Sequence, residues 1–368
     1  MKDSDYMRLA LELAQRGQGW TAPNPMVGAV IVKEGRIIGQ GWHARCGALH
    51  AERHALQNCT ESPQGAVLYV TLEPCCHHGR QPPCTEAILA SGITRVVVGS
   101  GDPNPLVAGK GLELLRKNGV TVETGVLEAE CQALNQVFFH FIRTGRPYVV
   151  MKYAMTLDGK IATRTGASQW ITGEAARRGV HEDRNRYRAI MAGVGTVLAD
   201  DPLLTCRMEG GKNPLRVICD TRLRAPLTSR IVQTARAVPT ILATACGDAA
   251  RRAPYEAAGC RVWVLPARDG HVDLDVLMER LGAADIDSVL LEGGGTLNWS
   301  ALEAGIVQKV QAYIAPKLFG GAEAPSPVMG RGAALPAQAV RLKNTVVTPV
   351  GEDFLWESEV DGPVYGNR

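Results

Sequence analysis

Two short segments constrain this chain most: His50-Ala51-Glu52, and Pro74-Cys75 with Cys84 beyond it. They carry three metal-capable side chains and one carboxylate that need not be a ligand. Both segments fall where a strand is expected to give way to a helix. The ligands would then meet helix N-termini, whose dipole favours thiolates. His50 offers a neutral imidazole, and Cys75 and Cys84 offer thiolates. Three protein ligands leave a fourth tetrahedral position open, as catalytic zinc requires and structural zinc does not. Zinc brings the pKa of its bound water to about 7, and Glu52 can take a proton from that water and pass it on. This set suits hydrolytic removal of an amino group from a nitrogen heterocycle. Cys76, His77 and His78 are spare ligands, and they leave a closed structural site as the alternative.

That chemistry accounts for only the first part of the chain. At 368 residues the chain is long for one core. Periodicity predicts an amphipathic helix over 5–16, then strands at 27–33 and 36–41 joined by the Glu34-Gly35 turn. A helix is expected over 51–58, a strand over 66–71, a helix after Cys84, and a strand over 95–99. Helix 110–117, strand 120–124 and helix 127–141 complete an α/β layered domain. The polar run Arg143-Thr144-Gly145-Arg146-Pro147 predicts a boundary, giving domains 1–145 and 146–368. The second half shows strand patterns at 148–153, 187–192, 215–219, 239–244, 261–265, 287–291 and 308–314. Helical segments lie between most of them, so a second α/β domain is expected.

Lys+Arg number 40 and Asp+Glu 37, so charge makes no case for a nucleic-acid backbone or an acidic membrane as partner. No stretch approaches the 18 or so apolar residues of a membrane span. The start is charged and lacks a continuous apolar run, so no secretory signal is expected. Ten scattered cysteines suggest reduced thiols and a cytoplasmic protein.

Zinc deaminases carry the pattern His-x-Glu…Pro-Cys-x-x-Cys. Here eight residues, not two, separate Cys75 from Cys84. The stretch Pro74-Cys75-Cys76-His77-His78-Gly79-Arg80-Gln81-Pro82-Pro83-Cys84 resembles the pyrimidine deaminase domain of the riboflavin pathway, with Cys76 where Ser is usual. Pro23-Asn24-Pro25-Met26-Val27-Gly28-Ala29-Val30 is a second matching motif. The resemblance implies a cytidine-deaminase-like three-layer domain holding one Zn2+ through His50, Cys75 and Cys84. Glu52 would be the catalytic proton shuttle and Asn24 a substrate contact. His43 is a candidate for the pocket wall; His77 either touches substrate or shapes the loop. Alone, Asn24 reads as a turn-former between prolines.

In the second half, Met155–Ala162, Ser168–Gly173, Gly195–Pro202 and Leu290–Leu297 stand out. The last carries glycines from a strand into a helix, where backbone N–H groups can approach a pyrophosphate. It lacks the Gly-x-Gly-x-x-Gly spacing, so a Rossmann domain is not expected. Together these segments resemble the reductase domain of the same riboflavin-pathway family, which has a dihydrofolate-reductase-like α/β fold and uses NADPH. The resemblance implies that Ala154, Trp170, Thr196, Asp200, Gly293, Gly294, Gly295, Thr296 and Leu297 contact NADPH, with Thr221 a weaker candidate. It implies Ser168, Arg184, Leu204, Arg207 and Glu292 for the substrate, and Lys152 sits on the first strand beside the proposed cleft. The guanidinium forks of Arg184 and Arg207 suit a sugar phosphate. Without the resemblance, Trp170 reads as core and Lys152 as a strand-edge lysine.

The expected function is therefore bifunctional: zinc-dependent deamination of a diaminopyrimidinone ribosyl phosphate, then NADPH-dependent reduction of its ribosyl side chain to ribityl. The expected partners are small molecules and further copies of the chain, as a homo-oligomeric dimer or tetramer, with no nucleic acid and no membrane. The rival readings are a nucleic-acid base deaminase with an accessory domain, an inactive zinc-stabilised scaffold, and one live domain beside a relic.

Overall fold

The structure, a computed structural model, describes residues 1–78 and 81–362. Gly79 and Arg80 of the extended cysteine motif lie outside the described residues. The chain divides into two compact units, Met1–Gly145 and the residues from Arg146 onward.

In the first unit, helix α1 (Asp3–Gln15) precedes a hairpin of β1 (Gly28–Lys33) and β2 (Arg36–Trp42). Then come α2 (Ala51–Gln57), β3 (Val67–Leu72), α3 (Cys84–Ala90), β4 (Arg95–Ser100), α4 (Lys110–Lys117), β5 (Thr121–Thr124), α5 (Glu128–Leu134) and α6 (Gln136–Thr144). The sheet order is β2-β1-β3-β4-β5. Alternate residues of its strands feed two cores. Ile31, Leu68, Val70 and Val96 pack with Ala51 and Ala55 of α2, Ile88 of α3 and Leu115 of α4. Val30, Tyr69 and Val97 pack with Met7, Ala10 and Leu13 of α1 and Cys131 of α5. Helices thus cover both faces, which makes the three layers. Gly41 lets α2 lie close on β2: a Cβ there would sit 2.2 Å from the Ala55 nitrogen.

One expected helix is two. Residues 127–141 break at Asn135, whose side chain takes the Met26 N–H at 2.8 Å and donates to the Met26 carbonyl at 2.9 Å. Tying down the strand entry outweighs continuity of the helix, because Asn bonds backbone groups readily and propagates a helix poorly.

The second unit holds β6 (Tyr148–Thr156), α7 (Glu174–Arg186), β7 (Ala189–Gly193), α8 (Val194–Asp200), β8 (Leu215–Cys219), α9 (Arg230–Gln233), β9 (Thr240–Thr244), α10 (Ala249–Ala257) and β10 (Arg261–Val264). A small hairpin, β11 (Ala267–Arg268) and β12 (His271–Val272), leads to α11 (Leu274–Ala283), β13 (Ser288–Leu291), α12 (Gly295–Glu303) and β14 (Lys309–Ala315). The ribbon β15 (Arg341–Val350) and β16 (Asp353–Asp361) follows. The main sheet runs β10-β9-β8-β7-β13-β6-β14-β16-β15. Strands β10 through β14 in that order are parallel, and β16 and β15 are antiparallel. Met151, Met191, Val217 and Leu291 face α11 and α12, while Ile190, Ile218 and Leu242 face α8, α9 and α10. In such a sheet, ligands gather beyond the carboxyl ends of the parallel strands.

Candidate active sites

His50 is the N-cap of α2 and Cys84 the first residue of α3. Cys75 follows β3 by the Glu73-Pro74 link. Three separate junctions therefore deliver three donors to one point. His50 Nδ1 lies 3.5 Å from Cys75 Sγ and 3.4 Å from Cys84 Sγ, and all three donors fall within 4.8 Å of one another. A tetrahedral zinc with ordinary bond lengths separates an imidazole nitrogen from a thiolate sulfur by about 3.5 Å, so the donor set fits that ion in geometry and chemistry. The hydrogen bond from Cys84 holds the Cys75 thiol down at about 4, and His50 adds to this against the effect of burial. Cys84, which donates that bond and is buried, is pushed up.

Glu52, in the first turn of α2, is 4% exposed. Burial, with Cys75 beside it, raises its carboxyl to about 7. It stands next to the cluster without belonging to it. His43 is buried, stacks edge-on to His50 at 5.6 Å, and is held neutral chiefly by burial. Its Nδ1 faces the Leu49 carbonyl at 3.0 Å, so that nitrogen carries the proton and Nε2 accepts from Asn24 Nδ2 at 3.3 Å. Asn24 and His43 thus form one unit beside His50. His77 keeps a buried Nδ1 with no hydrogen-bond partner among the described residues. His78 instead reaches outward to Glu86 at 3.4 Å. Cys76 points its sulfur at the Leu106 carbonyl, 3.9 Å away, and among the described residues the metal-capable cluster is His50, Cys75 and Cys84.

In the second unit, Glu292 follows β13 directly. Arg184 of α7 grips it with two parallel bonds, Nε to Oε1 at 2.7 Å and Nη2 to Oε2 at 2.8 Å, and donates Nη1 to the Thr205 carbonyl at 3.0 Å. Lys152 on β6 places its ammonium 3.9 Å from Glu292 Oε2 and 5.7 Å from the centre of the Tyr313 ring. Burial disfavours the Glu292 carboxylate, but Arg184 and Lys152 more than offset this and hold it at about 2. Burial pushes the Lys152 ammonium down, and Glu292 pulls it part of the way back. Lys152 is therefore an interior cation in an ion network. The fork of Arg184 is already filled by Glu292, so it is less free for a phosphate than its sequence context implies. Arg207 Nε donates to His181 Nε2 at 3.1 Å; burial, Arg184 and Arg207 hold that ring neutral, at about 4.

The glycines Gly293-Gly294 follow Glu292, and Gly295 opens α12. A cavity of about 270 Å³ lies here, lined by Gly193–Thr196, Thr221 and Gly294–Leu297 among others. A Cβ on Gly294 would point to within 3.6 Å of the Thr196 hydroxyl, so these residues face one another across it. The walls are small and the α12 N-terminus opens into the space, which fits the diphosphate of a nicotinamide dinucleotide. Ser168 and Asp200 meet at 3.3 Å between Oγ and Oδ1. Trp170 is 57% exposed with the Arg177 guanidinium 4.7 Å from its ring centre, which overturns the core reading of that residue. Ala154 is half-buried near the end of β6. Leu204 buries its side chain in the core beside Ile190 and Ile218, leaving only its backbone for a ligand.

Comparison with known proteins separates the two halves in the same way. A family profile described as the cytidine and deoxycytidylate deaminase zinc-binding region matches residues 1–100, and one described as the RibD C-terminal domain matches 147–356. The riboflavin biosynthesis protein RibD of Actinobacillus pleuropneumoniae is 53% identical over 99% of this chain and 97% of its own. The chain belongs to the RibD family. Escherichia coli K12 RibD is 44% identical over 87% of this chain and 89% of its own. A solved structure from Thermotoga maritima, a diaminohydroxyphosphoribosylaminopyrimidine deaminase/5-amino-6-(5-phosphoribosylamino)uracil reductase, superposes with a TM-score of 0.87 at 38% identity, covering 97% of this chain and 98% of that one. As a RibD protein, this one is a bifunctional riboflavin-pathway enzyme, with a cytidine-deaminase-like domain that binds zinc and a dihydrofolate-reductase-like domain that uses a nicotinamide cofactor. Among the described residues no helix is long and apolar enough to cross a membrane.

Several supporting residues of this RibD chain escaped the sequence reading. Glu73 is buried and takes the N–H groups of Gly109 and Gly111 at 3.0 and 3.1 Å, fastening the 102–112 segment to the Pro74-Cys75 turn. Arg53 donates to the Pro82 and Pro83 carbonyls at 3.1 and 2.9 Å, fixing the approach to Cys84. His181 sits under Arg207. The one available signal was an acidic residue directly before Pro-Cys.

Proposed function

We propose that residues 1–145 deaminate 2,5-diamino-6-(5-phosphoribosylamino)pyrimidin-4-one and that residues 146–368 reduce the resulting 5-amino-6-(5-phosphoribosylamino)uracil with NADPH. The observation that carries this is the convergence of His50, Cys75 and Cys84 beside the buried, non-ligating Glu52. His50, Cys75 and Cys84 would hold one zinc ion per chain, which would supply an activated water at neutral pH. Glu52 would take one proton from that water and give it to the ring nitrogen, then take the second from the added hydroxyl and give it to the departing amine. A C–O bond forms at the ring carbon, the exocyclic C–N bond breaks, and ammonia leaves. Asn24 and the neutral His43 orient the ring, and His77, whose buried Nδ1 has no partner among the described residues, meets it.

In the second domain NADPH, when bound, would supply the hydride that reduces C1′ of the sugar. Gly293–Leu297, Thr196, Thr221, Ala154, Trp170 and Asp200 form its bed. Lys152, held by Glu292, faces the sugar. Ser168, Arg207 and the Leu204 backbone bind the substrate, while Arg184 fixes Glu292. The exposed side chains of Leu342, Val346, Val347, Phe354 and Trp356 on β15 and β16 support self-association of this ribbon into a homo-oligomer. The free cysteines agree with a cytoplasmic setting.

Mass spectrometry of products from the diaminopyrimidinone ribosyl phosphate tests this reading. Deamination alone is expected without NADPH, and a deaminated ribityl product with it. Loss of deamination in Glu52→Gln with zinc retained is expected; full deamination by that variant would overturn the mechanism.

A further inference from the structure

The carboxyl ends of β6, β13, β7 and β8 lie side by side, in that order, along one edge of the sheet. Lys152 is on β6 and Glu292 at the end of β13. The glycines 293 and 294 follow β13, Gly193 ends β7 with Val194–Thr196 after it, and Cys219 ends β8 with Asp220 and Thr221 after it. Neighbouring strands are about 4.8 Å apart, so the four ends span about 14 Å. A dinucleotide laid along this edge with its reacting ring at Lys152 sets its diphosphate against the glycines. Its adenosine ribose then falls over the end of β8.

At that end the cavity wall carries Arg224 and His271. Both are exposed, and neither side chain has a hydrogen bond or ion pair among the described residues. Their backbones are fixed from below. Buried Asp220 takes the Arg224 and Ala225 N–H groups at 2.6 and 2.8 Å. The Thr221 hydroxyl takes the Val272 N–H at 3.1 Å, drawing the β11–β12 hairpin, and His271 with it, to the end of β8. The nearby Arg268 is committed to Asp273 and Asp275 at 3.1 and 2.7 Å. No carboxylate lines this cavity among the described residues; in the adjoining one, which shares His271, Asp273 is held by Arg268 and Glu303 by Arg331, and Asp269 is the remaining acid. In dinucleotide sites generally an acid suits plain ribose hydroxyls, whereas cations and N–H donors suit an added 2′-phosphate.

We propose that Arg224 and His271 hold the 2′-phosphate of the adenosine ribose and so set the preference for phosphorylated over plain nicotinamide dinucleotide. The inference rests on the reductase reading above and assigns its cofactor selectivity to two residues. Arg224 presents a guanidinium fork to the phosphate and His271 adds a ring N–H.

Calorimetric titration of the full-length, zinc-loaded protein tests it, with NADP+, NAD+, 2′,5′-ADP and 5′-AMP as probes. Arg224→Ala is expected to weaken NADP+ and 2′,5′-ADP by about tenfold or more, while NAD+ and 5′-AMP change by less than about twofold. Arg224→Lys should restore part of the loss, and His271→Ala should show a smaller loss of the same pattern. Circular dichroism and zinc content identify any misfolded variant, for which the lysine variant then decides. Equal weakening of phosphorylated and plain ligands, or none at all, overturns the proposal. A wild-type protein that prefers NADP+ through an unaffected Arg224→Ala variant sinks this assignment alone. A wild type that binds neither dinucleotide sinks the reductase reading with it.

Discussion

Arg184 and Glu292 meet as a two-bond fork, 2.7 and 2.8 Å long, on side chains only 13% and 11% exposed. The pair joins α7 to the end of β13 and faces Lys152, so removing one charge leaves two interior cations without their carboxylate. Breaking a buried pair on one side typically costs about 3–5 kcal/mol. Glu292→Gln is therefore expected to lower stability by roughly 3 kcal/mol and to depress NADPH oxidation with substrate by about 100-fold, with deamination retained. Denaturant titration and separate assays of the two half-reactions check this. Full reductase activity in the variant would remove Glu292 from the site.

The same carboxylate makes stability depend on acid. Its folded value of about 2 lies below the ordinary 4.5, so the native state binds fewer protons than the unfolded one between those values. The contribution is complete above pH 4.5 and is lost as pH falls toward 2. Unfolding free energies measured by urea titration across that window should fall more steeply for the wild type than for Glu292→Gln. Parallel curves would show that the ion network contributes nothing to acid sensitivity.

Chemistry that sits within a few residues was readable along the chain, and chemistry completed across the fold was not. His50, Glu52, Cys75 and Cys84 declare themselves by residue type and spacing, and their junctions follow from simple strand and helix periods. The fork on Arg184 could not be read, because its partner stands 108 positions away. Arg216, flanked by Leu215 and Val217, carries no mark in the sequence that it is fully buried. The ribbon β15–β16 passed unnoticed because β15 is exposed along nearly its whole length, so no apolar–polar alternation marks it. Its pairing is dictated by the edge that β14 offers, a tertiary fact.

Arg216 carries the next prediction. It sits on β8 with no exposed surface and donates to Thr240, Thr234 and the carbonyls of Leu203, Ile231 and Val238. These bonds close the β8–β9 edge and fix the segment just before Leu204. Burial lowers its guanidinium to about 10, so it stays charged at neutral pH with its donors matched to carbonyls and hydroxyls. Arg216→Met would strand several buried acceptors at about 1–3 kcal/mol each before relaxation. A net loss of about 3 kcal/mol or more is expected by urea denaturation. A loss under about 0.5 kcal/mol would mean that the acceptors find other donors.

Cys76 and Cys84 provide the sharpest test of the metal ligands, because the cysteine-rich loop offers three sulfurs for two positions. Cys84 Sγ lies 3.4 Å from His50 Nδ1, the distance tetrahedral zinc requires. Cys76 instead directs its sulfur at the Leu106 carbonyl and, among the described residues, does not join the cluster of His50, Cys75 and Cys84. Cys76→Ser is therefore expected to keep zinc near one equivalent and deamination within about twofold, since no ligand is lost. Cys84→Ser should lose zinc by at least about tenfold in affinity and deamination with it, while NADPH-dependent reduction of the deaminated substrate persists. Zinc content by inductively coupled plasma mass spectrometry, read beside both activities, separates the cases. Loss of zinc from Cys76→Ser with retention in Cys84→Ser would exchange the two sulfurs and overturn the ligand set drawn from the geometry.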